Sequence, residues 1–278
     1  MSSDCLEKYA RLKHILQEMR RVLVAYSGGV DSTFLLHSAV QALGAENMIA
    51  VIARSPLRSA AEHADAIALT RSLGVVCMAL DIDELSDPKV AGNSPDRCYH
   101  CKRKLFSQLR EVAHIQEITW IIEGSNADDA AQYRPGKKAL QELGIRSPLA
   151  EAQLTKNEVR RLSQEQGLPT WDKPANACFA TRIPYGEPLS LQVLSMIEQG
   201  ENFLHEEGFE LIRIRSYRGL ARIEVLPDEI ERFLKSDLRT RVIQKLKELG
   251  FRYICLDLEG YRSGSMDEVL PDAILRAG

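Results

Sequence analysis

The sequence predicts an α/β protein, a doubly wound parallel sheet followed by a small C-terminal α+β module. Three observations predict it. Four short, apolar, β-branched runs alternate with helix-period segments through the first two-thirds of the chain, the pattern of a parallel sheet covered on both faces. Right-handed crossovers between such strands favour the doubly wound arrangement. After Pro188 the order changes to helix, strand, strand, helices, strand, which suits a separate unit.

Each element has its own signal. Helix 4–20 opens the chain and strand 21–26, RVLVAY, follows. A Gly-Gly turn leads into helix 33–43; strand 48–53 leads into helix 59–73, which Gly74 closes. Strand 75–82 precedes a long polar connection and a helix around 102–114, and strand 118–125 completes the sheet. Residues 125–187 are irregular and rich in Pro, Gly and charge, with one clear helix after the capping sequence that runs from Thr155 to Glu158. Active-site loops gather in such a stretch after the last strand of an open sheet. Helix 189–207, strands 210–217 and 220–226, helices within 227–249 and strand 251–258 form the second unit. Two prolines and a glycine within 183–188 mark the seam, giving domains of 1–185 and 186–278.

Composition excludes several classes. With 278 residues, 45% of them hydrophobic and 27% charged, the chain buries a sizeable core. A formal net charge of -3 argues against a protein whose main task is gripping nucleic acid. The first 21 residues mix charges and lack an apolar signal region, and no run of 18 apolar residues occurs anywhere. No membrane association and a cytoplasmic location are therefore expected. Six cysteines in such a chain are no disulfide framework. Cys77 and Cys255 lie in strand-like runs where a small apolar side chain packs, and Cys5 lies in the N-terminal segment. Cys98, Cys101 and Cys178 fall in polar or irregular stretches and need another reason. The six histidines show no metal-ligand spacing.

Four groups of residues carry chemistry. Ser27, Gly28, Gly29, Val30, Asp31 and Ser32 lie between a strand and a helix. Two glycines let backbone amides approach an anion, the helix N-terminus adds donors, and Asp31 suits Mg²⁺ or loop orientation. The bland alternative is a turn capped by Asp31 or Ser32. Gly124, Asn126 and Asp128 follow the fourth strand, where a nucleotide contact and a capped turn are both consistent with the residue types. Lys173 and Arg182 flank Cys178, and cationic neighbours favour the nucleophilic thiolate; a buried structural cysteine is the alternative. Arg213 and Arg215 alternate with Ile212 and Ile214 along one strand, with Glu224 on the next. That face suits either bidentate binding of a phosphate and carboxylates or a solvated sheet surface with cross-strand ion pairs.

The SGGVDS loop after VLVAY closely resembles the pyrophosphate loop of the ATP pyrophosphatase (PP-loop) superfamily, whose members have an adenine nucleotide alpha hydrolase-like fold. It is not a Walker A loop, because G-x-x-x-x-G-K-[ST] is absent. The resemblance implies ATP and Mg²⁺, contacted by the loop, by Gly124, Asn126 and Asp128, and at Arg54, where it places the adenosine. With RCYHCK at 97–102, RPGKKAL at 134–140, IRSPLAEAQLTKNEVR at 145–160 and the segment from Trp171 to Gly186, the chain resembles the ATP-dependent sacrificial sulphur transferase family (LarE-type) from about residue 5 to 265. That likeness implies a pyridinium-3,5-dicarboxylate mononucleotide substrate and formation of a thiocarboxylate for the nickel-pincer nucleotide cofactor of lactate racemase. Cys178 is then the sulphur donor and is consumed. It implies substrate binding by Arg213 and Arg215, with Glu201 and Glu224 as further candidates, homo-oligomerisation, and enzymes acting upstream and downstream in the same biosynthesis.

Other readings stay open on the sequence alone. Cys98, Cys101 and Cys178 converging on a [4Fe–4S] cluster would leave Cys178 unconsumed. An RNA thiolase would share the loop and the cysteine pair but needs a basic RNA-tracking surface. An ammonia-using ligase of the NAD synthetase kind needs no loop cysteine, and a nucleotide-binding regulatory module would do no chemistry.

Overall fold

Strands β1 (Val22–Ala25), β2 (Met48–Arg54), β3 (Val76–Asp81) and β4 (Trp120–Ile122) form a parallel sheet in the order β3-β2-β1-β4. This computed structural model describes residues 3–131, 135–174, 177–262, 264–266, 268 and 270. The central strand is apolar throughout because both of its faces are covered: Val22, Leu23 and Val24 are wholly buried. On one face pack α1 (Ser3–Met19), α2 (Val30–Leu43) and α3 (Ala60–Ser72), with α8 (Lys156–Glu165), through Leu12, Leu16, Phe34, Ala66 and Leu162. The opposite face takes α5 (Arg97–Ile115) and α6 (Gly136–Glu142), through Leu105, Phe106, Leu109 and Leu140. Short helices α4 (Pro88–Ala91) and α7 (Pro148–Glu151) lie in the connections. The doubly wound reading therefore holds. The chain runs from β1 outward to β3, then returns to place β4 on the other side of β1, so the crevice of an open sheet lies beyond the C-terminal ends of β1 and β4.

The C-terminal region forms α9 (Leu191–Glu206), an antiparallel hairpin of β5 (Arg213–Tyr217) and β6 (Leu220–Glu224), α10 (Ser236–Glu248) and β7 (Tyr253–Leu256), which runs parallel to β6. Its core also takes Leu57, Val90, Phe179, Ala180 and Ile183 from the N-terminal side of the seam. The α+β composition is as expected, and the two units share apolar residues across residue 185.

Several boundaries differ from the sequence reading for local reasons. Helix α2 begins at Val30 rather than 33; Gly29 is its N-cap and no side chain caps it, so neither Asp31 nor Ser32 does. Helix α5 begins at Arg97, five residues early, and carries the whole of RCYHCK, so Cys98 and Cys101 are helical. A polar stretch concealed it, because the apolar face of α5 starts only at Leu105. Strand β4 is three residues long, leaving Glu123 and Gly124 beyond it. Residues 125–187 hold α6 and α7 besides α8; α8 has the expected capping box of Thr155 and Glu158. Cys255 is exposed on edge strand β7 and Cys77 is only half-buried, so neither is the packed core residue expected.

Candidate active site

Ser27–Ser32 fold as a tight turn into the first turn of α2. Gly28 has φ +73°, and a Cβ there would lie 2.8 Å from the Ala66 Cβ of α3, so only glycine fits. The Ser27 and Ser32 hydroxyls lie 2.9 Å apart and share a hydrogen bond, and Ser32 Oγ also donates to the Gly29 carbonyl at 3.2 Å. Both hydroxyls thus brace the turn, while the uncapped start of α2 offers backbone donors and a positive dipole end to an anion.

The segment after β4 packs directly on this turn. A Cβ on Gly124 would stand 2.9 Å from the Ser32 amide nitrogen, so the glycine is required by close approach of two backbones. Buried Asn126 donates from Nδ2 to Asp31 Oδ1 at 3.3 Å and accepts the Asp128 amide at 3.0 Å. Lys156, the first residue of α8, pairs its ammonium with Asp31 Oδ2, while its amide donates to Asp128 Oδ2 at 2.8 Å. The structure therefore gathers Gly28, Asp31, Ser32, Gly124, Asn126 and Asp128 around the switch point and adds Lys156, which the sequence reading treated only as part of a capping sequence. One signal was available: a cation at a helix N-terminus opposes the macrodipole and needs a tertiary reason.

Arg54 sits at the C-terminal end of β2, where its exposed guanidinium makes a bidentate pair with Asp81 at 2.7 and 2.6 Å. The pairing holds the Asp81 carboxyl below the usual carboxylate range. Lys173, with Gly28, lines a cleft of about 510 Å³ between α3 and residues 169–173. Arg160 fixes that wall by donating to the Trp171 and Lys173 carbonyls, both at 2.9 Å.

Cys178 is exposed and caps a 3₁₀ turn, Phe179–Arg182, its sulphur accepting the Ala180 amide at 3.3 Å. The buried-structural alternative is thereby overturned. The next residue ties this turn to the sheet, for the Phe179 amide donates to the Leu57 carbonyl at 2.9 Å, just after β2. Cys101 lies nearby in α5. Burial, then the charges of Glu84, Cys178 and Cys98, push its thiol up to about 12, so it stays protonated near neutrality. The three cysteines thus share one neighbourhood. Among the described residues no three His, Cys, Asp or Glu side chains come close enough to hold a single ion, a tighter spacing than the cysteines around a cluster need.

The arginine face of β5 is not solvated. Arg213 and Arg215 are each 4% exposed, since this face lies against the Cys178 turn while Ile212 and Ile214 are buried too. Arg215 makes a bidentate pair with Glu224 at 3.0 and 2.7 Å and donates to the Thr181 carbonyl at 2.9 Å. Arg182 makes a second buried bidentate pair, with Glu201 at 3.0 Å on both arms, and donates to the Ala177 carbonyl at 2.6 Å and the Cys178 carbonyl at 3.3 Å. Burial, with Arg182 beside it, lowers the Arg213 pKa from the ordinary guanidinium value. A cross-strand ion pair of one alternative, Arg215 with Glu224, is present, yet inside the protein, and together with the Arg182–Glu201 pair it clamps the cysteine loop. Of RPGKKAL, Arg134 lies outside the described residues, as do Ala175 and Asn176 before Cys178.

The chain's similarities agree with this geometry. Residues 4–105 match the family model described as NAD synthase. An uncharacterised protein of Synechocystis is 40% identical across 95% of this chain and 98% of its own. The pyridinium-3,5-bisthiocarboxylic acid mononucleotide synthase of Lactiplantibacillus plantarum is 39% identical across 96% of both chains. A tRNA-specific 2-thiouridylase of Thermotoga is more distant, 27% identical across 72% of this chain and 69% of its own.

Proposed function

The chain belongs to the LarE-type sulphur transferase family of PP-loop enzymes, and from that premise we propose that it takes the sulphur it transfers from Cys178. The enzyme uses ATP to convert a carboxylate of a pyridinium dicarboxylate mononucleotide into a thiocarboxylate. The carboxylate oxygen attacks the α-phosphorus of ATP and pyrophosphate leaves, held by the amides at the start of α2. Lys156 is the cation assigned to the departing charge, and Asp31, with which it pairs, would hold the Mg²⁺ that accompanies ATP. Attack by the Cys178 thiolate on the acyl carbon then expels AMP and leaves a thioester. Removal of the Cys178 Cα proton puts an electron pair into a Cα–Cβ double bond, the Cβ–S bond breaks, and the thiocarboxylate departs from a dehydroalanine. Arg213 and Lys173 are the cations assigned to a substrate that carries phosphate and carboxylates, whereas Arg182 and Arg215 are neutralised by Glu201 and Glu224 and hold the Cys178 turn. Homo-oligomerisation and partner enzymes upstream and downstream belong to the same proposal.

The exposure of Cys178 on a turn hydrogen-bonded to the end of β2 carries this reading. Intact-mass analysis after a single turnover tests it: the protein should be lighter by one H₂S, localised to Cys178. One observation favours a second reading, the shared neighbourhood of Cys98, Cys101 and Cys178. Product formed at unchanged protein mass, in a sample containing iron, would replace the sacrificial donor by a cluster on those three residues.

A further inference from the structure

Glu84 lies in a 3₁₀ turn, Glu84–Ser86, that follows β3 and is 2% exposed. Unlike Glu201 and Glu224, it makes no ion pair among the described residues. A buried carboxylate without a paired cation is costly, so its retention calls for a specific set of contacts. Those contacts reach three parts of the active site. Ser55 Oγ, just beyond β2, donates to Glu84 Oε2 at 2.5 Å. The same Ser55 oxygen accepts the Leu57 amide at 3.1 Å, and the Leu57 carbonyl accepts the Phe179 amide at 2.9 Å, next to Cys178. The other carboxylate oxygen, Oε1, faces the Cys101 sulphur at 4.0 Å. Lys104 braces the turn itself by donating to the Asp83 carbonyl and the Ser86 hydroxyl.

We infer that Glu84 is a positioning residue for sulphur delivery: through Ser55 and the turn at Leu57 it sets where Cys178 meets the adenylate. Its contact with Cys101 ties the start of α5 to the same anchor, so the two thiols keep a fixed relation at the C-terminal edge of the sheet. Glu84 has no hydrogen bond to the Ser27–Ser32 turn, to Arg54 or to Lys156 among the described residues, so pyrophosphate release should survive its loss. This inference rests on the proposed transfer from Cys178.

Two half-reactions separate the possibilities: pyrophosphate release that depends on the carboxylate substrate, and thiocarboxylate formation. In Glu84→Ala, pyrophosphate release should stay within about twofold of the unaltered enzyme while thiocarboxylate formation falls at least about tenfold, as small displacements of a reacting group do. Glu84→Gln keeps an oxygen for the Ser55 hydroxyl and should recover most of the transfer rate. Equal loss of both half-reactions, loss of neither, or a Gln variant no better than Ala would overturn the inference. If Cys178→Ala still formed thiocarboxylate, the donor assignment itself would fall, and this inference with it.

Discussion

Lys156 shows what one residue contributes once its partner is known. Its ammonium neutralises Asp31 in the Ser27–Ser32 turn, and its amide fixes the Asp128 carboxylate. Replacing it by Met leaves the stem and removes the charge. Pyrophosphate release by Lys156→Met should fall by about 10²-fold, the usual effect of losing a donor aimed at developing charge, while the reactivity of Cys178 toward iodoacetamide stays unchanged. Equal loss of both would show that the residue serves the fold instead. At this scale the glycines were legible in the sequence: Gly28 and Gly124 sit where a left-handed turn and a close approach demand them. Lys156 was not, because its partner Asp31 is 125 positions away and local spacing carries no trace of it.

Among elements, the 3₁₀ turn Phe179–Arg182 and strand β5 behave as one unit. Glu201 of α9 joins them by pairing with Arg182 and accepting the Ile214 amide, and Arg215, paired with Glu224 of β6, reaches across to the Thr181 carbonyl. Removing one partner of such a pair strands a charge. Glu201→Leu should cost about 3–5 kcal/mol in urea unfolding, and adding Arg182→Met should restore much of it. If the double variant is no more stable than the single one, the pair's worth lies in the carbonyls of the cysteine loop that Arg182 holds. Alternation along β5 is legible in the sequence, as are the two adjacent strands. The sequence could not reveal that both faces were covered, since an Arg-Ile alternation looks the same beside water or beside a turn docked from residues 179–182.

Over the whole molecule, the apolar residues at the seam decide how the two units behave. Leu57, Phe179, Ala180 and Ile183 sit in the same core as Ile212, Ile214 and Phe251. Calorimetry should therefore record one cooperative unfolding transition, with no separate melting of residues 186–278. Leu57→Ala should lower stability by about 2–5 kcal/mol and keep that transition single. Two resolved transitions in the unaltered protein would mean that the shared core contributes little. No helix among the described residues is long and apolar enough to cross a membrane.

By itself the sequence determined the parallel sheet, the glycine turn between β1 and α2, and the family, and it singled out the cysteine on which the transfer is proposed to turn. These are written in short-range patterns: strand runs, paired glycines, a motif within a few residues. Only the tertiary structure decided that the arginine face is interior, that RCYHCK is helical, that Lys156 answers Asp31, and that Glu84 stands between Ser55 and Cys101. The physical reason is common to all four. Burial and pairing depend on which distant segment docks against a side chain, and the energy of a charged group is set by that neighbour rather than by its own stretch of chain.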